Sequence, residues 1–166
     1  MFQIGDVVMY GVHGVCRVAD VEIRTVDRKR LEYLVLEPQG QNGSRYYVPS
    51  GNPNAMAKLR PMLDRQELEE LLLSELVRQD SWIAEENLRK QHYRELINSG
   101  DRVALLRMVR TLYHHKQEQA AAGRKFHLCD ENFLRDAQRL IEMEFSVVLQ
   151  IHPSQVKDYV LEKLNT

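Results

Sequence analysis

"MAKLRPMLDRQELEELLLSEL", residues 56–76, contains a change of period. Up to Pro61 the apolar residues come in short runs. From Leu68 they return every four residues, at Leu68, Leu72 and Leu76, with Leu71 and Leu73 widening the stripe. A spacing of two suits a strand with one buried face, and a spacing near 3.6 suits a helix lying on a core. The chain therefore divides near residue 62.

Upstream, "DVVMY" (6–10), "GVCRVADVEI" (14–23), "LEYLVLEP" (31–38) and "SRYYVP" (44–49) are β-branched or aromatic runs separated by Gly, Asn and charged turns. They predict four or five strands of about five residues, packed as a small barrel. Val15, Arg17/Val18 and Val21/Ile23 alternate between a buried and a wet face. "PQGQNGSR" (38–45) reads as a mobile hairpin tip and "PSGNPNA" (49–55) as a loop into a last strand near "MAKLR".

Downstream, further helical stripes run through Leu105, Met108, Val109 and Leu112; through Leu134, Ala137, Ile141, Phe145 and Val148; and through Val156, Val160 and Leu164. In "NSGDRV" (98–103) Gly100 closes one helix and Asp101 caps the next, and "HPSQV" (152–156) puts Pro153 at a first helical position. The reading is α+β: a small β-barrel over 1–62, then a bundle of about five helices over 63–166.

Composition narrows the function. With 43% hydrophobic and 28% charged residues the chain can bury a core. No apolar run approaches the roughly 18 residues of a membrane span, and Met1 leads into strand-like sequence instead of a signal peptide, so a cytoplasmic protein is expected. Cys16 and Cys129 are too few and too separated for a disulfide framework and read as free thiols. Neither has a nucleophile signature around it, and no phosphate-cradling glycine loop, G-x-S-x-G elbow or H-E-x-x-H is present. His13 with Cys16, and His127 with Cys129, are pairs, not four-ligand zinc patterns, so no metal or cofactor is expected.

Charge is unevenly distributed. Residues 1–62 carry +2, 63–82 −4, 83–126 +4 and 127–166 −3. A basic centre flanked by acidic segments is either a polyanion-binding face or a solvated helix surface. Trp82, the single tryptophan, stands at the entrance to that centre in "RQDSWIAEENLRK" (78–90). Lys90 and Arg94 share a helical stripe with Arg89 and Tyr93 beside them, and Arg102, Arg107, Arg110 and Lys116 surround the next core stripe. Such cations clamp phosphates without reading sequence, and an aromatic at their rim can wedge a base step. Alternatively, Trp82 packs where the acidic and basic helices meet.

"IGDVVMYGVHGVCRVADVEIR", followed by "EYLVLEP" and "YYVP", resembles the amino-terminal module of the CarD family of bacterial transcription regulators, shared with transcription-repair coupling factors. "SW", "SGDRVALLRMVRTLYHHKQEQ" and "FLRDAQRLIEMEF" resemble the family's helical module in the same order. The resemblance implies a Tudor-like (SH3-like) barrel holding the β subunit of RNA polymerase, and a helical module touching promoter DNA at the upstream edge of the bubble. It also implies a shift toward the open complex without a specific operator and without a cofactor. On it, Trp82, Arg89, Lys90, Arg94 and Arg102 are the expected DNA-binding residues. Arg24 matches the family's polymerase-contacting arginine. A second arginine before the Val-Pro pair is replaced by Tyr47, with Arg45 two residues earlier on the same strand face and Pro49 closing the pair. Gly11 and Cys16 stand where many members have Pro and Gly. The stretch from Trp82 to Gly100 is about one helical turn longer than in relatives, which in a continuous helix would move the Trp by about 6 Å and about 40°. A monomer is expected when free, its edge strands covered by polymerase, in the cytoplasm and associated with the nucleoid. The alternatives are a protein adaptor without DNA contact and an enzyme dependent on Cys16, Cys129 or His13.

Overall fold

The computed structural model describes residues 2–40 and 43–164. The chain forms two compact units, Met1–Met62 and Leu63–Thr166. The first contains strands β1 (Val7–Tyr10), β2 (Gly14–Val26), β3 (Lys29–Pro38), β4 (Tyr46–Pro49) and β5 (Leu59–Pro61), with a short helix α1 (Pro53–Met56) before β5. They form one antiparallel sheet in the order β4-β3-β2-β1-β5. The unit is thus a Tudor-like five-stranded module, and a helical unit follows it.

β2 and β3 are longer than the runs of about five that the sequence suggested, because their ladder continues to a two-residue turn. Asp27 and Arg28 both take positive φ, 51° and 65°, between the paired Val26 and Lys29. Two left-handed residues match the twist of a hairpin. The tip expected at "PQGQNGSR" falls in part on residues 41 and 42, outside the described residues.

A bulge between Val18 and Asp20 decides which face of β2 is buried. Before it Cys16 and Val18 point into the core; after it the phase changes, so Val21, opposite Leu34, packs there instead. The bulged backbone keeps its partners: Val18 N–H donates to Asp6 O and Gly5 N–H to Val18 O, both at 2.8 Å. The core gathers Val8, Cys16, Val18, Leu34, Leu36, Val48 and Leu59, with Ala55 and Met56 of α1 against it. Ile23 shares the inner phase but lies where the hairpin has left the core, and is 61% exposed.

Gly11 shows how this chain makes the β1–β2 turn. Its φ is 45° and its N–H donates to Lys58 O at 2.9 Å. A proline has neither that φ nor the N–H, so the backbone here has its own solution.

The second unit contains α2 (Arg65–Leu73), a 3₁₀ turn Glu75–Arg78, α3 (Glu86–Ser99), α4 (Arg102–Ala121), α5 (Leu128–Leu149) and α6 (Pro153–Leu164). Gly100 ends α3 at φ 66°, and Asp101 caps α4 by accepting from Ala104 N–H. One core holds Leu68, Leu72, Tyr93, Leu105, Met108, Leu112, Leu134, Ile141, Phe145, Val156, Val160 and Leu164. The expected stripe fails at Leu76. Ser74 leaves helical backbone at ψ 140° and its hydroxyl caps the 3₁₀ turn. Val77 therefore fills the core, while Leu76 is 51% and Leu73 61% exposed. No helix among the described residues is long and apolar enough to cross a membrane.

Candidate functional site

On the sheet, strand parity collects the expected polymerase-contacting residues. Tyr47 pairs with Val35 and Pro49 with Tyr33, and these face away from the core that Val48 and Leu34 enter. Arg24, in the same phase after the bulge, lays its guanidinium over the Tyr47 ring at 4.2 Å. It also forms an ion pair with Glu22 at 3.0 Å. Glu22 and Tyr47 raise the Arg24 pKa above its ordinary value, the hydrogen bond that Arg24 donates to Glu22 contributing most. Arg45 reaches Glu37 at 3.2 Å, and Glu37 also holds Arg17 at 2.9 Å. Arg24, Arg45 and Tyr47 are exposed and Pro49 half-buried, so one outer face presents two arginines, an aromatic ring and a proline.

His13 and Cys16 diverge. His13 joins Tyr10 and Tyr46 in a cluster of rings 4.5–5.5 Å apart. Cys16 is buried, and burial pushes its thiol up to about 11, far from a nucleophile's range. Among the described residues no three His, Cys, Asp or Glu side chains stand where they could hold a metal.

In the helical unit the expected cations separate into two kinds. Arg89 departs from the expected phosphate contact. It is 3% exposed and forms a two-pronged pair with Asp130 at 2.9 and 3.1 Å. Its remaining donors go to Ile83 O at 2.9 Å and Ala84 O at 3.3 Å. Burial works against this charge, but Asp130 outweighs it and the guanidinium holds its proton more tightly than usual. Arg102 likewise turns inward, to Glu144 at 2.7 Å. Arg107 donates to Leu76 O, and Arg110 to Arg78 O at 2.9 Å, so both tether the 3₁₀ turn. A helix carries its cations all round, and these lie on flanks of the core stripe where a neighbouring segment supplies acceptors.

Lys90 and Arg94 remain outward. Lys90 is half-buried and pairs with Glu86 at 3.3 Å; Arg94 is exposed. Sequence reasoning passed over Arg124 and Lys125, both exposed in the α4–α5 loop beside Phe126. Phe126 lies 6.0 Å from His115, which brings this basic loop to the edge of the Trp82 cluster. The adjacency of "RKF" was a signal, but only the fold shows which ring it borders.

Trp82 is not at the start of a helix, since α3 begins at Glu86. Residues 79–85, between the 3₁₀ turn and α3, form an irregular strap. Ser81 is held to Thr111 Oγ1 by its N–H at 3.0 Å and its hydroxyl at 3.2 Å, while Tyr93 donates to Ser81 O at 3.1 Å. Burial raises the Tyr93 phenol to about 12, so it remains a donor across the ordinary pH range. Trp82 N–H donates to Asp80 at 2.9 Å. The half-buried indole stacks on His115, centroids 3.7 Å apart at 22°, with the Arg89 guanidinium 4.3 Å over the ring. The rotation expected of a longer continuous helix does not apply to such a strap.

With this geometry in place, the comparison with known families is specific. Residues 2–61 match the family model of the CarD-like/TRCF RID domain, which spans nearly all of the first unit. The first unit is thus similar to a CarD-like, RNA-polymerase-interacting domain.

Proposed function

We propose that this protein is a transcription regulator that bridges the β subunit of RNA polymerase and promoter DNA and stabilises the open complex. The observation that carries the reading is the pairing of an RNA-polymerase-interacting module with a separate helical unit bearing a fixed aromatic cluster and outward cations. Arg24, Arg45, Tyr47 and Pro49 form the polymerase-facing surface. Trp82, Lys90 and Arg94, joined by Arg124 and Lys125, form the DNA-facing one. Arg89 and Arg102 serve behind it, Arg89 by fixing the strap and Arg102 by neutralising Glu144. The cations contact phosphates, so binding is salt-dependent and tolerant of sequence. The protein acts as a monomer in the cytoplasm, at the nucleoid, and by binding instead of turnover.

The mechanism is a coupling of equilibria. A protein that binds open complex more tightly than closed shifts their ratio by that difference, and about 1.4 kcal/mol gives tenfold. Promoters limited by opening gain transcripts, whereas promoters limited by escape lose them.

An adaptor that contacts proteins through both units is the second reading. It is favoured by the inward arginines and by exposed leucines such as Leu128, 75% exposed. Two binding assays on the full chain separate the readings: capture of the isolated β subunit, and association with a promoter-length duplex at low and moderate salt. The bridge predicts both, the first lost in Arg24→Ala/Arg45→Ala and the second weakened by salt and by Arg124→Ala/Lys125→Ala. Capture of β with no DNA association even at low salt would leave the adaptor.

A further inference from the structure

Helices α4, α5 and α6 line a recess of about 330 Å³ in the helical unit. Tyr113, Lys116 and Gln117 of α4 stand three and four residues apart and so share one helical face. Ala120 continues that face with a side chain too small to fill the space before it. From α5 come Glu131, Leu134 and Gln138, again at helical spacing, and α6 adds Lys157. We propose that this recess binds a small phosphorylated ligand with a flat ring, of the size of a mononucleotide. None of its residues belongs to the polymerase-facing or DNA-facing surfaces described above.

The charges set the sign of the ligand. Lys116 and Lys157 are accompanied by one carboxylate, Glu131, so the lining carries one positive charge in excess. Lys116 is committed, with its Nζ 3.0 Å from Glu131 and 6.0 Å from the centre of the Phe126 ring. Lys157 lies over the Tyr113 ring at 5.7 Å and forms no salt bridge among the described residues. Burial raises the Glu142 carboxyl above its ordinary pKa and Lys157 draws it back, yet that carboxyl does not line the recess. A phosphate therefore finds in Lys157 an ammonium that no salt bridge holds, and a charge-assisted hydrogen bond to it is the stronger kind.

The rest of the lining suits a flat polar ring. Tyr113 supplies an aromatic wall and Leu134 an apolar one, as small-ligand sites commonly do. Gln117 and Gln138 each carry an amide donor and an amide acceptor, which match the mixed edge of a nucleobase. Gln138 Nε2 is buried and has no hydrogen-bond partner among the described residues. A buried donor without an acceptor is costly, and a ring nitrogen or carbonyl oxygen of a ligand would satisfy it. The volume is at the lower end of small-ligand sites, which limits the occupant to a single nucleoside unit. Phosphates of a duplex could meet the two lysines, but they would leave the recess and the Gln138 donor unfilled.

The test is calorimetric titration of the full chain with adenosine monophosphate, guanosine monophosphate, the two nucleosides and inorganic phosphate, with the thermal midpoint as a second readout. A mononucleotide is expected to bind at least about tenfold tighter than its own nucleoside and than phosphate, and to raise the midpoint. Lys157→Ala, at an exposed helical position, should remove that advantage over the nucleoside without altering the fold. Gln138→Leu should weaken the nucleotide while the midpoint without ligand holds or rises, since the unpaired buried donor is gone. No binding of either mononucleotide at millimolar concentration, or an affinity that survives Lys157→Ala, overturns the proposal. So does a Gln138→Leu protein that melts earlier and binds nucleotide as well as wild type, because Gln138 would then be structural. Loss of duplex binding in Lys157→Ala, with no mononucleotide bound by the wild type, assigns the lysine to DNA and overturns it as well.

Discussion

Arginines of the sheet and arginines of the helical unit have opposite fates. Arg24 and Arg45 stand outward on the sheet and meet Glu22, Glu37 and a tyrosine ring along that same surface. Arg89, Arg102, Arg107 and Arg110 turn inward, to two buried carboxylates and to the backbone carbonyls of Leu76, Arg78, Ile83 and Ala84. On a strand every second residue is committed to one side, so once the β2 bulge is placed, parity tells which cations are presented. On a helix a long side chain can swing from its flank to any acceptor a neighbour offers. A basic segment in a helical bundle is therefore a weaker sign of a polyanion surface than a basic row on a sheet.

The most severe way to break this contrast is Arg89→Ala. It leaves Asp130 charged, buried and unpaired and releases the carbonyls of Ile83 and Ala84. Unfolding of the helical unit in urea should become easier by about 3–5 kcal/mol. A loss under 1 kcal/mol would mean that Arg89 is available at the surface after all.

Alkaline titration separates the two units next. Cys16 in the sheet unit ionises at about 11 and Tyr93 in the helical unit at about 12, each above its ordinary value of 9.0 and 10.0 because of burial. An acid whose pKa is raised by folding keeps its stability contribution below the unfolded pKa and loses it as pH rises through the folded one. Stability should thus fall in the sheet unit from pH 9 and in the helical unit from pH 10. The loss is on the order of 2 kcal/mol in each, read from fragment-specific hydrogen exchange. A flat profile across pH 9–12 would contradict the burial of both groups.

Arg102→Ala should cost about 2 kcal/mol, because Glu144 is nearly fully buried and loses its charged partner. By contrast Arg24→Ala and Arg45→Ala are exposed substitutions and should stay within about 0.5 kcal/mol of wild-type stability. Their effect should appear as lost capture of the β subunit instead. A stability loss as large as that of Arg102→Ala would make the sheet arginines structural and erase the contrast.

Much of the fold could be read directly. The change of period near residue 62, the Gly100–Asp101 junction and the Leu105–Leu112 stripe each depend on neighbours within a turn or two. A charged turn was legible between residues 23 and 31, but its two-residue form at Asp27–Arg28 was not, because left-handed backbone is adopted there without glycine. The break at Ser74 escaped because leucines continue past the point where the backbone leaves the helix. On the sheet, the spacing of Arg45 and Tyr47 was enough to place them together. The Trp82 cluster was not legible, since it joins residues 82, 89, 115 and 130 from the strap and three helices, and no local rule pairs them. Arg89 looked like a surface cation for the same reason: its partner stands 41 residues away.

The most direct test of the bridging account is the lifetime of open complexes formed by the host RNA polymerase on a promoter of known melting boundary, after heparin challenge. The comparison is between wild type, Arg24→Ala/Arg45→Ala and Arg124→Ala/Lys125→Ala. The account predicts a longer lifetime with wild type and a return toward the polymerase-alone value with either double variant, since a bridge fails when either end is cut. Equal lifetimes with and without the wild-type protein, or full activity in both variants, would contradict it.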